Sequence, residues 1–419
     1  MQNINMEIRN VGPIDKCKID FNSFSVITGK QSSGKSTVAK SLYFFLSLKD
    51  RLVQLVFKFK NPGMIKEYRG EPLNRLFKQD VLSMLQQIFG VKDSYIHQGS
   101  YLRMNYSDDI YVQTTYNETF TISYSNKLRD FIKKLENENV ENFDHNYFGK
   151  LQEEINDFFD MDYSPVYIPA GRSIMTIIGS QFELFYATLN DDNRNLIDLC
   201  TRTFFTTVMQ LKPLFGKGLS KLWKNQRIND ITEKAKEYMK SVINGEYYYT
   251  NNGEYLKLTD GKNIKINMIS SGQQEALWIY NILIYCAKAS LKRFYIIEEP
   301  ESNLFPESQQ QISKFLGLIS NMGNPMLITT HSPYILGEIN NMIYAGTISG
   351  SGKKRKTYDI IDKDCQLKYD SLRAFFIEDG IVNDCMDYDI KQIDSLKLDS
   401  ISDVINKEYD LLLQIDRSK

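Results

Sequence analysis

Gly29, Lys30, Gln31, Ser32, Ser33, Gly34, Lys35, Ser36 and Thr37 follow directly on the apolar run FSVIT. The pattern G-x-x-x-x-G-K-S has the makings of a phosphate cradle. Gly29 and Gly34 let the backbone curl so that successive amides point inward at phosphate oxygens. Lys35 would reach the β and γ phosphates, and the Ser36 hydroxyl would ligate Mg2+. The bland alternative is a glycine turn with an exposed lysine. Against it, a strand-like run precedes the loop and a strongly apolar helical stretch, STVAKSLYFFLSL, follows, in the order a phosphate-binding unit requires.

Three further stretches carry chemistry. In FYIIEEPESNLFP, residues 294–306, four apolar residues deliver Glu298 and Glu299 to the carboxyl end of a strand, where ligands bind in open α/β sheets. Consecutive side chains diverge there, so one carboxylate can hold Mg2+ while the next polarises a water for attack on the γ phosphate. In SSGQQE, residues 270–275, Ser271 and Gly272 would offer a hydroxyl and backbone amides at a positive helix end. The same letters make an ordinary N-cap with Gln and Glu in the first turn, which is the simpler reading. In LITTHSPYIL, His331 closes another apolar strand, 32 residues after Glu299. A neutral imidazole there could donate to a phosphate or to the attacking water.

The elements that must position these groups come in two blocks. INMEIRNV, DKCKIDF and FSVIT are short β-favouring runs, with Gly12-Pro13 turning between the first two. Residues 246–335 supply hairpin strands, a buried helix, an apolar strand, a helix over 306–319 and a second strand, an alternation that implies a parallel sheet covered by helices. Between the blocks the sequence is less explicit. Alternating, aromatic-rich residues around 100–124 imply paired strands. Leu128, Phe131, Ile132 and Leu135 mark an amphipathic helix over 126–137, and a second helix is expected over 148–160. SPVYIPAGRS reads as a buried strand leaving a turn, and Ile228, Ile231, Ala235, Tyr238 and Val242 mark a helix ended by Asn244-Gly245. SGSGKKRK, 349–356, is expected as a flexible basic loop, and ISDVINKEYDLLLQI as a terminal helix.

Composition excludes several classes. The 419 residues carry 51 basic and 52 acidic side chains, which argues against a dedicated polyanion binder. No apolar run approaches the roughly 20 residues that span a bilayer, and the start lacks the layout of a secretory signal. Cys17, Cys200, Cys286, Cys365 and Cys385 never form a CxxC pair and read as reduced thiols of a cytoplasmic protein. With only three histidines, His97, His145 and His331, a histidine-rich metal site is hard to assemble.

In this order and spacing the pieces resemble the ABC-type ATPases of the wider AAA family. The branch concerned includes the structural-maintenance-of-chromosomes heads, RecF and the overcoming-lysogenisation-defect (OLD) ATPases. Gly29 to Thr37 match the Walker A loop, and Ser271-Gly272-Gln273 the signature motif. Glu298 and Glu299 fall on the Walker B acid and the catalytic glutamate, and His331 on the switch histidine. YIPAGRS, 167–173, is similar to a YIPA-R segment of OLD-type ATPases and makes Arg172 a site candidate; a turn arginine in a surface salt bridge is the alternative. The sequence departs from the pattern at Gln31, where many relatives have Asn, and at Glu298, where Asp is usual. Asn303 and Phe305 replace the two histidines of an HLHP stretch.

The resemblance implies an α/β head with a mixed β-sheet flanked by helices. Its core would be 1–50 and 246–350, with a helical and β arm inserted over 51–245 and an extension over 351–419. It also implies ATP with Mg2+, sandwiched in a head-to-tail homodimer or larger oligomer, with Walker A from one chain and the signature from the other. A transporter ATPase is disfavoured by the large insertion and the signature form, and a long-armed DNA tether by the absence of sustained heptads. The DYD at 387–389 reads as an acidic surface turn, because too few residues surround it for a nuclease domain. By the resemblance, the chain is expected to be a switch that senses a trigger and controls a separately encoded toxin or nuclease, as in bacterial anti-phage systems built on OLD-like ATPases. The alternative is a RecF-like clamp on duplex DNA using Lys353, Lys354, Arg355 and Lys356; a scaffold that binds ATP without hydrolysis is a third reading.

Overall fold

The computed structural model describes residues 4–61, 63, 70–90, 95–140, 143–178, 197–216, 230–350, 354–394 and 407–408. The chain opens with β1 (Ile4–Val11), β2 (Ile14–Phe21) and β3 (Phe24–Gly29), then α1 (Lys35–Lys60) and α2 (Leu73–Phe89). A meander of β4 (Ile96–Asn105), β5 (Tyr111–Asn117) and β6 (Thr119–Tyr124) leads to α3 (Asn126–Asn137) and α4 (His145–Phe159). After β7 (Ser164–Ile168) come α5 (Ile174–Ile178), α6 (Leu199–Leu211) and α7 (Asp230–Ile243). The strands β8 (Gly245–Thr250), β9 (Gly253–Leu258) and β10 (Asn263–Lys265) form a small sheet of their own. Then follow α8 (Ser271–Lys288), β11 (Arg293–Glu298), α9 (Pro306–Asn321), β12 (Met326–Thr330) and α10 (Pro333–Gly350). The last described elements are α11 (Lys354–Tyr358), β13 (Leu372–Glu378), β14 (Ile381–Asp384), β15 (Met386–Asp387) and β16 (Gln392–Ile393).

Among the described residues, eleven strands form one mixed sheet in the order β6-β5-β4-β1-β2-β14-β13-β3-β12-β11-β7. The neighbours β13, β3, β12, β11 and β7 are parallel, and the β1-β2 and β4-β5-β6 part is antiparallel. Burial follows from this difference. Every residue of β3 and β12 is buried, as expected where helices cover both faces, whereas β1 and β2 interleave exposed positions. The pleat sends alternate side chains of the parallel strands to two cores. Val26, Tyr295, Ile297 and Ile328 join α7 to α10 on one face; Ile27, Phe294, Ile296 and Leu327 join α1 to α4 on the other.

The α/β class with a mixed, helix-flanked sheet is as expected, and so are the 100–124 strands and the helix over 126–137. The stretch 51–245, expected as an inserted arm, contributes β4 to β6 at one edge of the main sheet and β7 at the other. Residues 372–384 also enter that sheet, with β13 directly beside β3. The flexible loop expected over 349–356 is partly helical. Here α10 runs to Gly350, anchored by Ile335, Ile339, Met342 and Ile343, and Lys354–Tyr358 forms a further turn. Lys353, Ile228 and almost all of the expected terminal helix lie outside the described residues. The DYD stretch is a surface turn in which the Asp387 carboxylate accepts from the amides of Asp389 and Ile390. All five cysteines are buried and none forms a disulfide. Among the described residues no helix is long and apolar enough to cross a membrane.

Candidate functional site

The glycine loop turns between β3 and α1 through Ser32 at φ 61° and Gly34 at φ 108°. Space requires the glycine at 29 and the backbone dihedral the glycine at 34. A Cβ on Gly29 would lie 2.5 Å from the carbonyl oxygen of Ile377 in β13, and one on Gly34 would lie 2.4 Å from Ile14 Cδ1. Helix α1 begins at Lys35 with no side-chain cap and no acid in its first turn, which leaves its amides open to an anion. Lys35 is only 6% exposed, and its Nζ donates to the carbonyls of Gly29 (2.9 Å) and Lys30 (2.7 Å) inside the loop. Burial draws its pKa down, and the charges of Glu299, Glu301 and Glu298 pull it back up. Ser33 Oγ is buried without a partner, Ser36 is exposed, and the buried Thr37 hydroxyl meets the Tyr95 hydroxyl at 2.7 Å.

Strand register brings the acids and the histidine to this loop. In the parallel ladder Glu298 pairs with Thr329 and Thr330 with Thr28, so β3, β12 and β11 end side by side. Glu298 is buried; its Oε1 accepts from the Tyr167 hydroxyl (2.5 Å) and its Oε2 from the Ala170 amide (3.3 Å). Glu299 leaves the strand at φ 42°, a left-handed conformation uncommon outside glycine. Its amide donates to Thr329 O (2.9 Å), and its carboxylate lies 3.6 Å from His331 Nδ1. That contact is the main cause of a lowered Glu299 pKa and a raised His331 pKa. A third acid, Glu301, is 3% exposed. It accepts from the Thr330 hydroxyl (2.6 Å) and the His331 amide (3.0 Å), and burial raises its pKa.

The 270–275 turn is the N-cap of the simpler reading, although Glu275 lies beyond the first turn rather than within it. Ser270, not Ser271, is the N-cap, and it forms a capping box with Gln273. The Gln273 Nε2 donates to Ile243 O (2.6 Å), which occupies the other end of that side chain. Ser271 is left exposed, and Gly272 is so close to the segment after Glu299 that a Cβ would lie 2.4 Å from Asn303 O. Among the described residues no hydrogen bond or ion pair joins 271–273 to the loop 29–37.

Sequence reasoning missed Glu301, Tyr167 and Glu275, and left Arg172 open between a site candidate and a surface salt bridge. Arg172 is instead fully buried, and its guanidinium donates to the carbonyls of Pro169, Glu298, Glu299 and Glu275. The available signal was the YIPAGRS stretch itself, though nothing in its letters names the partners. The surface concavity lined by Ser23, Asp160, Tyr163 and Pro325 lies at the amino ends of the parallel strands and carries none of these groups.

The AAA ATPase domain profile matches residues 1–336. The chain belongs to the AAA ATPase domain family. This AAA ATPase is a nucleotide-binding enzyme, and it is similar to solved structures of chromosome-maintenance heads. One is an SmcHead bound to the C-winged helix domain of ScpA, at 11% identity over 91% of this chain and 95% of that one, with a TM-score of 0.43. Another is an SMC head domain from Thermotoga maritima, at 10% identity over 92% and 98%, with a TM-score of 0.37. A third is an Smc head domain with an extended coiled coil bound to the C-terminal domain of ScpA, derived from Pyrococcus furiosus; it gives 11%, 92% and 96%, and 0.41. No curated protein sequence matches the AAA ATPase. At such identities no residue role is carried over. The loop's own features fit a triphosphate: an uncapped helix start, an inward lysine, and glycines at positions of positive φ.

Proposed function

We propose that this ATPase is a switch, in which two copies close head-to-tail over ATP and so control a separately encoded toxin or nuclease in bacterial anti-phage defence. The observation that carries the catalytic part is the β3-β12-β11 register, which sets Lys35, Glu299 and His331 along one sheet edge. In this reading Lys35 and the amides of 29–37 hold the phosphates. Ser36 and Glu298 hold Mg2+, which when bound offsets phosphate charge. The Glu298 carboxylate retains lone pairs beyond those used by Tyr167 and Ala170. Glu299 is the base that orients water, and His331, next to it, steadies the charge that develops.

Ser271, Gly272 and Gln273 face the nucleotide of the partner copy. Support for that pairing comes from exposed side chains close in sequence to these motifs. Met268, Phe305 and Tyr334 are 75%, 74% and 56% exposed, and they follow or precede the signature turn, the acid segment and His331. Apolar side chains so exposed beside the motifs suit a surface that a second copy covers. The effector step rests on the resemblance of the motifs to OLD-like ATPases.

The test is Glu299→Gln with Mg·ATP, followed by light scattering for mass and then by pull-down from the native host. Loss of the base with intact phosphate contacts should trap a dimer and abolish turnover, whereas Lys35→Ala should bind no ATP. Turnover at the parent rate in Glu299→Gln would remove Glu299 from its role. Recovery of duplex DNA in place of a stoichiometric protein partner would replace the effector reading with a clamp.

A further inference from the structure

Arg172 is the most heavily engaged buried charge in the described structure, and its partners belong to two different functional segments. The side chain is fully buried. Its Nη1 donates to Pro169 O (2.7 Å) and Glu298 O (2.5 Å), and its Nη2 to Glu299 O (2.9 Å). Its Nε donates to Glu275 O (2.9 Å) and lies 3.3 Å from Glu275 Oε2. The Glu275 carboxylate, 2% exposed as a residue, accepts in return from the amides of Arg172 (3.0 Å) and Ser173 (3.1 Å). The two buried charges thus face one another, and four of the five guanidinium N–H donors reach acceptors, a dense set of bonds that holds the pair in a defined geometry.

The carbonyls of Glu298 and Glu299 flank the Cα of Glu299. One rigid guanidinium fork on both peptides restrains the backbone of that residue, which holds the left-handed φ of 42°, and so sets the direction in which its side chain leaves the chain. Glu275 is four residues beyond Ser271, at the start of the second turn of α8. Holding both its carbonyl and its carboxylate prevents the start of α8 from shifting without moving the end of β11.

We propose that Arg172 is a positioning residue that couples Glu299 to the 271–273 turn. This inference rests on the head-to-tail reading, in which Glu299 serves one nucleotide and 271–273 the other. The Arg172–Glu275 pair is then a rigid link between the two sites of the dimer. When the signature turn engages one nucleotide, the base of the neighbouring site is set by the same movement.

The test uses Arg172→Lys in the full chain, which keeps the charge and removes the fork. Expected are a single melting transition, a Kd for a fluorescent ATP analogue within about twofold of the parent, and a kcat lower by about tenfold or more with KM little changed. In the Glu299→Gln background, Arg172→Lys should also prevent the ATP-dependent dimer while leaving ATP bound. Parent-like kcat, or a loss of affinity in step with kcat, would overturn the proposal. If Arg172→Lys does not fold, Glu275→Gln is measured against the same criteria, because it leaves the guanidinium in place and removes one acceptor. Failure of both to fold would make the pair a structural element only. A Glu299→Gln protein that never dimerises defeats the head-to-tail reading, whereas an equally stable dimer with and without Arg172→Lys defeats the link alone.

Discussion

His331 Nδ1 lies 3.6 Å from Glu299 Oε1 and 3.7 Å from Glu301 Oε1, so two acids bracket one imidazole. The approach of the Glu299 carboxylate to Nδ1 is the main cause of the raised His331 pKa, and the same contact is the main cause of the lowered Glu299 pKa. A raised histidine pKa contributes stability below the ordinary value of 6.5 and loses it as pH climbs through the folded value. A lowered glutamate pKa contributes above the ordinary 4.5 and loses it as pH falls through the folded value. The imidazolium–carboxylate pair therefore persists between the two folded values. Both side chains are solvated enough that the effect on global stability is small. The titration itself is the better readout. With only three histidines in the chain, the His331 ring can be followed by NMR in the nucleotide-free protein. Its midpoint should exceed 6.5 and should drop in Glu299→Gln; an unchanged midpoint would show that Glu299 is not its partner.

Among the elements, the start of α8 separates two serines that the sequence places side by side. Ser270 caps the helix through the Gln273 amide, and its own amide donates back to Gln273 Oε1 at 3.0 Å. Ser271 makes no such bond and faces solvent. Ser270→Ala should cost about 1 kcal/mol of stability, the usual cost of losing a polar N-cap, seen as a lower denaturant midpoint at constant slope. Ser271→Ala should leave that midpoint in place and weaken the ATP-dependent dimer. Equal effects of the two substitutions on stability would contradict the capping assignment. The glycine loop shows the same division between local and distant constraint. Gly34 needs its positive φ for the turn itself, while Gly29 is confined by the backbone of β13, nearly 350 positions away in the chain.

For the molecule as a whole, β13 and β14 tie the parallel half of the sheet to the antiparallel half. β13 pairs with β3 along its length, with Ile377 opposite Gly29, and β14 touches β2 at Lys16. A chain ended after residue 350 would leave β3 with an unpaired edge beside the glycine loop, a template for aggregation. It should be poorly soluble or melt well below the full chain, and should lose affinity for a fluorescent ATP analogue. A truncated protein that melts and binds like the parent would show that 372–384 only decorates the sheet.

The glycine loop, the two acids after FYII and the histidine after LITT were legible because their signals are local. A left-handed turn demands glycine, an apolar run of strand length ends where polar residues begin, and a helical period follows within a few residues. The helix over 126–137 was legible for the same reason, since Leu128, Ile132 and Leu135 do face the core. Arg172 and Glu301 were not, because what distinguishes a buried, bonded charge from a solvated one is the company it keeps. For Arg172 that company comes from positions more than a hundred residues away. The places of β4 to β6 and of β13 in the sheet were equally hidden. Alternation shows that a strand has a buried face, but strand order depends on which edges remain to be paired, and the assembled chain alone settles that.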